Sequence, residues 1–163
     1  VKMAAITLDD LYFVALVTIA SAWQLATHAK RMGMSRMKFK IDPPSMEGPP
    51  EFLRTIRAQQ NGLEFYPIFI VTMWISAIFL HQVPAALVGV LYIYARQNYF
   101  NGYIKDAKSR VGPFKMSVMA LQLGLVMSLF GLLQMGLLNY AGVNLKMEAI
   151  RLYKSVGGPD LMS

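Results

Sequence analysis

Arg57, Asn61 and Glu64 stand three and four residues apart in the stretch Arg57–Ala58–Gln59–Gln60–Asn61–Gly62–Leu63–Glu64–Phe65–Tyr66–Pro67. On a helix they share, with Arg54, an arc of roughly 80°, while Gln59 points almost to the opposite side. A guanidinium clamps carboxylates bidentately, a carboxylate accepts an ammonium, and an amide does either. Tyr92, Arg96, Tyr99 and Tyr103 form a second stripe within about 60°, and Arg110 falls on its line if that helix continues. Together the stripes suit a small zwitterion with several carboxylates and one ammonium. Plainer readings exist. Arg57 and Glu64 can belong to a structural ion-pair network, and Gln59 can bond another helix. Tyr99 and Tyr103 can form an interfacial aromatic belt with a snorkelling arginine, although Arg96 is about two turns too deep for that. Spacing alone does not bring the two stripes together.

The elements that must position these side chains are apolar and long. Of the 163 residues 55% are hydrophobic and 15% charged, well below the ~25% charge of soluble domains. Leu11–Ala29 is nearly continuous apolar sequence of bilayer length, preceded by Asp9 and Asp10. A basic segment follows it rather than precedes it, which argues for a first transmembrane helix over a signal peptide. Lys30–Pro50 reads as a basic loop, because Pro43, Pro44, Pro49 and Pro50 forbid regular helix. A second helix opens at Glu51 and becomes fully apolar from Tyr66 to Leu80, with a kink expected at Pro67. The short connection His81–Gln82–Val83 makes helices two and three an antiparallel hairpin, with Pro84 in the first turn of the third. Phe114–Tyr140 is a fourth apolar helix, interrupted mainly by Gln122 and Gln134. The expectation is an all-α integral membrane four-helix bundle. Residues 1–163 form a single membrane domain with helices at about 8–29, 51–80, 84–107 and 114–141. A short mixed-charge tail ends Gly157–Gly158–Pro159.

The same composition excludes several chemistries. The chain has no cysteine and two histidines, His28 and His81. It therefore lacks disulfides, thiolate metal ligands, a cysteine nucleophile and the ligands of a multi-histidine site. Any thiol chemistry must use a thiol brought in by a substrate. The formal charge of +7 accompanies no aromatic–basic nucleic-acid motif, so anionic headgroups or an anionic substrate are the expected partners. With four spans, the basic residues Lys30, Arg31, Arg36, Lys38, Lys40, Arg54 and Arg57 lie on one face with Lys105, Lys108, Arg110 and Lys115. The positive-inside rule makes that face cytoplasmic and the termini lumenal or extracellular.

The stretch Arg57–Pro67 resembles the signature of the membrane-associated proteins in eicosanoid and glutathione metabolism. Pro43–Pro44, Gly48–Pro49–Pro50–Glu51–Phe52 and Tyr92–Ile93–Tyr94–Ala95–Arg96–Gln97–Asn98–Tyr99–Phe100–Asn101–Gly102–Tyr103 match it as well. The likeness covers about residues 10–140 and is nearest to the glutathione-conjugating and leukotriene-forming branch. It implies a homotrimer in the endoplasmic reticulum membrane or nuclear envelope. Glutathione, the co-substrate, would bind between subunits on the cytoplasmic side, with no metal. It implies that Arg57, Asn61, Glu64, Tyr99 and Tyr103 bind glutathione in one subunit, that Arg36 and Gln59 are offered by the neighbour, and that Arg110 activates the thiol.

The implied reaction is attack of the glutathione thiolate on a lipophilic electrophile such as the epoxide leukotriene A4, with reduction of lipid hydroperoxides as a further activity. Phe65 stands where leukotriene-forming members carry a tyrosine, and Met37 where they carry a second arginine. Both departures favour a broader glutathione transferase over exclusive leukotriene synthesis. The alternatives are a non-catalytic lipid-binding member of the family and a structural or transport four-span protein. Retention of Arg57, Asn61, Glu64 and Arg110 argues for the enzyme.

Overall fold

The computed structural model describes residues 11–155, apart from the side chains of Lys146 and Lys154. The expected start of the first helix at residue 8, with Asp9 and Asp10, lies outside them, as does the tail Gly157–Gly158–Pro159. Among the described residues, five α-helices follow in order: α1 (Tyr12–Phe39), α2 (Pro50–Phe79), α3 (Gln82–Lys105), α4 (Val111–Ala141) and α5 (Leu145–Ser155). A short 3-10 turn, Lys108–Arg110, joins α3 to α4. Among the described residues there is no strand.

The first helix is longer than its apolar span. It runs through the basic stretch expected to be loop and stops only at Lys40, which takes the left-handed conformation with φ 53°. The prolines that break the chain all come later. Upstream of them the cations are accommodated on helical faces: the Arg31 guanidinium centre lies 4.7 Å above the Phe100 ring and that of Arg36 lies 5.4 Å from the Phe52 ring centre. Charge alone does not end a helix when its apolar stem and its flat head can pack. The stretch after Tyr140, expected as a tail, also contains a helix, α5.

The hairpin between α2 and α3 is as tight as the sequence suggests. His81 caps α3, its Nδ1 accepting from the Val83 N–H at 3.2 Å. Pro67 sits inside α2, which continues through it. Helices α2, α3 and α4 pack on one another, and α1 lies against α2 and α3. Val14, Val17, Phe69, Met73, Tyr92 and Leu121 form the heart of the main apolar cluster.

Small residues let the backbones close. A Cβ on Gly131 would stand 2.8 Å from the Phe79 carbonyl carbon, so α4 presses directly on the end of α2. Nearby, Ser76 and Ser128 share a 2.9 Å hydrogen bond, and Ser128 also donates to the Thr72 carbonyl at 2.9 Å. Polar ties also hold α1. Gln24 donates to the Ile93 carbonyl at 2.8 Å, and the Trp74 indole donates to Thr18 Oγ1 at 3.1 Å. Such bonds are the usual glue between apolar helices.

Among the described residues, two helical stretches are long and apolar enough to cross a membrane, Pro50–Phe79 and Lys108–Ala141. The helices α1 and α3 are more polar. Their outer faces are nonetheless apolar: Leu16, Ile19 and Trp23 on α1, and Leu87 and Val90 on α3, are exposed. So are Leu125, Val126, Leu129 and Leu133 on α4. A continuous apolar exterior of this extent is not that of a water-facing monomer.

Candidate functional site

The two polar stripes meet. Arg96 is 4% exposed and its Nη1 donates to Asn61 Oδ1 at 3.0 Å, joining α3 to α2. Its guanidinium centre lies 4.4 Å from the Tyr99 ring centre and 5.7 Å from that of Phe65. Asn61 in turn donates through Nδ2 to Glu64 Oε2 at a long 3.4 Å. The Arg96 bond thereby fixes which way the Asn61 amide faces, with its oxygen inward and its N–H groups toward Glu64.

The structural ion pair considered for Arg57 and Glu64 is not formed. Arg57 instead reaches Gln60 Oε1 at 3.4 Å, and neither residue has an oppositely charged partner within 4.0 Å among the described residues. Both are exposed. An unpaired guanidinium and an unpaired carboxylate thus stand two helical turns apart on one face. This is what a zwitterionic ligand requires.

Arg110 reaches the same place by a different route from the one the helical wheel suggested. The helix does not continue through it. It ends at Lys105, because Asp106 turns to an extended conformation, and the 3-10 turn folds the chain back. Arg110 then lies with its guanidinium centre 4.4 Å over the Tyr103 ring. Asn61, Tyr99, Arg110, Phe114 and Lys115 line one cavity of about 440 Å³. Tyr99 is buried and stands edge-on to Tyr103, with ring centres 5.7 Å apart.

Of the residues singled out from sequence, Asn61, Tyr99 and Arg110 therefore share a cavity. Glu64 adjoins it through Asn61, and Tyr103 through Arg110. Arg57 sits one turn before Asn61 on α2. Arg36 and Gln59 are elsewhere. The Arg36 Nη1 donates to the Ser45 carbonyl at 2.7 Å. Gln59 carries a buried Oε1 with no hydrogen-bond partner among the described residues. Lys115 was not singled out from the sequence. No helical periodicity connects it with Arg110, since the two lie on either side of the join between turn and helix. At the departures, Phe65 meets Phe114 edge-to-face with ring centres 5.7 Å apart, and Met37 points outward, 73% exposed.

The cavity opens between the N-terminal half of α2, the C-terminal end of α3 and the start of α4, the end at which the basic connections gather. Arg110 and Lys115 give it two cations and Tyr99 a phenol. Apolar helix faces run away from it toward the other end. An anionic thiol held at Arg110 would be stabilised by direct charge attraction, and an arginine is a fixed charge that does not itself take protons.

Comparison with known proteins gives a consistent picture. Residues 14–133 match the model of the MAPEG family. The chain is 47% identical over 122 residues to microsomal glutathione S-transferase 2 of Mus musculus, covering 75% of this chain and 83% of that protein. It is 42% identical over 131 residues to microsomal glutathione S-transferase 2 of Bos taurus, covering 80% and 90%. Leukotriene C4 synthase of Mus musculus is 39% identical over 125 residues, covering 77% and 83%.

Proposed function

Because this chain belongs to the MAPEG family, we propose that it is a glutathione transferase that joins the glutathione thiol to lipophilic electrophiles. The observation that carries this reading is the cavity shared by Asn61, Tyr99 and Arg110, beside an unpaired Arg57 and Glu64. Its relatives named glutathione S-transferase and leukotriene C4 synthase support it. In this reading α1 to α4 form a four-helix bundle that crosses the endoplasmic reticulum membrane or nuclear envelope. Three copies assemble, the cavity faces the cytoplasm and the termini face the lumen. The apolar outer faces then meet lipid or a neighbouring subunit.

Glutathione carries two carboxylates, one ammonium and one thiol. Arg57 clamps a carboxylate, Glu64 takes the ammonium, and Asn61 and the tyrosines fill the remaining hydrogen bonds. Arg36 and Gln59 serve the neighbouring subunit's site. The free thiol has a pKa of about 8.5, so most of it is protonated at neutral pH. Arg110 beside the sulfur favours the thiolate electrostatically. The thiolate attacks an epoxide carbon, a C–S bond forms as the C–O bond breaks, and the alkoxide takes a proton from water. With a lipid hydroperoxide, two glutathiones are oxidised to the disulfide while the hydroperoxide becomes alcohol and water.

The test is turnover by the purified protein with glutathione and a panel of leukotriene A4, a lipid hydroperoxide and a simple aryl halide. Conjugate formation with at least one member is expected. Lipid binding with no turnover on any would favour the non-catalytic, lipid-binding reading instead.

A further inference from the structure

Arg110 has no side-chain hydrogen bond among the described residues, so its guanidinium must be held by other means. We infer that Asp106 and Gly102 are positioning residues that clamp the turn bearing Arg110 against α3. Asp106 Oδ2 accepts from the Lys108 N–H at 2.9 Å and from the Ser109 N–H at 3.2 Å, capping the 3-10 turn from outside. The Asp106 N–H donates to the Gly102 carbonyl at 2.9 Å, tying that cap to the last turn of α3. The backbone of the turn lies directly on Gly102: a Cβ there would stand 2.9 Å from the Ser109 carbonyl oxygen and 3.3 Å from its carbon. Tyr103, the next residue, supplies the ring beneath the guanidinium.

The clamp has a chemical consequence that rests on the role of Arg110 proposed above. Attraction between a guanidinium and a thiolate falls with distance, so moving the turn outward weakens thiol activation. A displacement near 1 Å is enough to matter in a site of this kind. Neither Asp106 nor Gly102 lines the cavity. They act through Arg110.

The experiment compares Asp106→Ala, Asp106→Asn, Gly102→Ala and Arg110→Ala in the full chain. Thiolate absorbance of bound glutathione is titrated with pH. Glutathione affinity is measured by equilibrium dialysis. Trypsin cleavage after Lys108 reports the turn itself. Asp106→Ala should raise the pKa of the bound thiol by a resolvable part of the shift that Arg110→Ala causes, because the guanidinium is moved and not removed. It should also speed cleavage several-fold and leave affinity within about twofold, because the binding residues stay in place. Asp106→Asn keeps an acceptor oxygen and should titrate like the wild type. Gly102→Ala should shift the titration in the same direction as Asp106→Ala, although alanine favours helix, so a merely structural role would leave the thiol unmoved.

Wild-type titration in Gly102→Ala and Asp106→Ala, with a shift in Arg110→Ala, overturns the clamp and spares the proposed function. A wild-type titration in Arg110→Ala removes the role of Arg110 itself. Equal effects of Asp106→Asn and Asp106→Ala overturn the capping role, because charge rather than the acceptor would then matter. If Asp106→Ala does not assemble, Gly102→Ala decides.

Discussion

Arg96 and Asn61 are joined by a 3.0 Å hydrogen bond between α3 and α2, and this bond unites two polar stripes that lie 35 residues apart in sequence. The Arg96 charge is almost wholly enclosed, with the Tyr99 and Phe65 rings against it and no ion-pair partner within 4.0 Å among the described residues. A buried cation is expensive to keep. Its use here is to orient Asn61.

Replacing Arg96 should therefore act through Asn61. Arg96→Ala is expected to weaken glutathione binding about tenfold or more, the worth of one hydrogen bond to a charged group. In a double-mutant cycle with Asn61→Ala the loss in the double variant should fall short of the sum of the two single losses by about 1–2 kcal/mol. Strict additivity would mean that Arg96 supports the fold independently of the amide.

Arg110→Ala should separate activation from binding. The pKa of bound glutathione should rise by about one unit or more, with turnover falling roughly tenfold, while equilibrium dialysis shows affinity nearly kept. Unchanged thiolate absorbance at neutral pH would leave Arg110 no role in activation.

Arg57→Ala should do the opposite. Loss of a charge-assisted clamp on a carboxylate is expected to weaken glutathione about tenfold to a hundredfold. The thiol pKa of whatever glutathione still binds should hardly move. Normal affinity by dialysis would make this stripe structural.

Gly131→Ala tests the packing that supports the site from the other end. The added methyl would meet the Phe79 carbonyl carbon at 2.8 Å and the Leu80 nitrogen at 3.0 Å. Backbone cannot move aside cheaply, so a cost of about 1–3 kcal/mol is expected against a small gain in helix propensity. Thermal unfolding in detergent should show the midpoint fall. A rise would mean that α4 and α2 separate freely there.

The sequence made much of this architecture legible because its punctuation is strong. Pro49 and Pro50 start α2, and His81 and Pro84 mark the hairpin. The α2 stripe of Arg57, Asn61 and Glu64 could be read because it lies wholly within one helix, where periodicity is geometry. The end of α1 could not be read from charge, since Arg31 and Arg36 pack their flat heads on Phe100 and Phe52. The route to Arg110 was hidden for another reason. A wheel assumes that the helix goes on, and Asp106 ends it. That the guanidinium still arrives over Tyr103 depends on a three-residue turn whose geometry no periodicity encodes. Lys115 was hidden by the same join.

The cavity lies at the end of the helices where the basic connections gather, and this gives the molecule a direction. On the proposed reading, a soluble tripeptide enters there from water without passing between lipid tails, while an oily reactant arrives sideways along the apolar helix faces. On the proposed reading, the conjugate acquires its charged head at that one surface. It is then an amphiphile anchored in a single leaflet, and the drain on glutathione falls on one aqueous compartment alone.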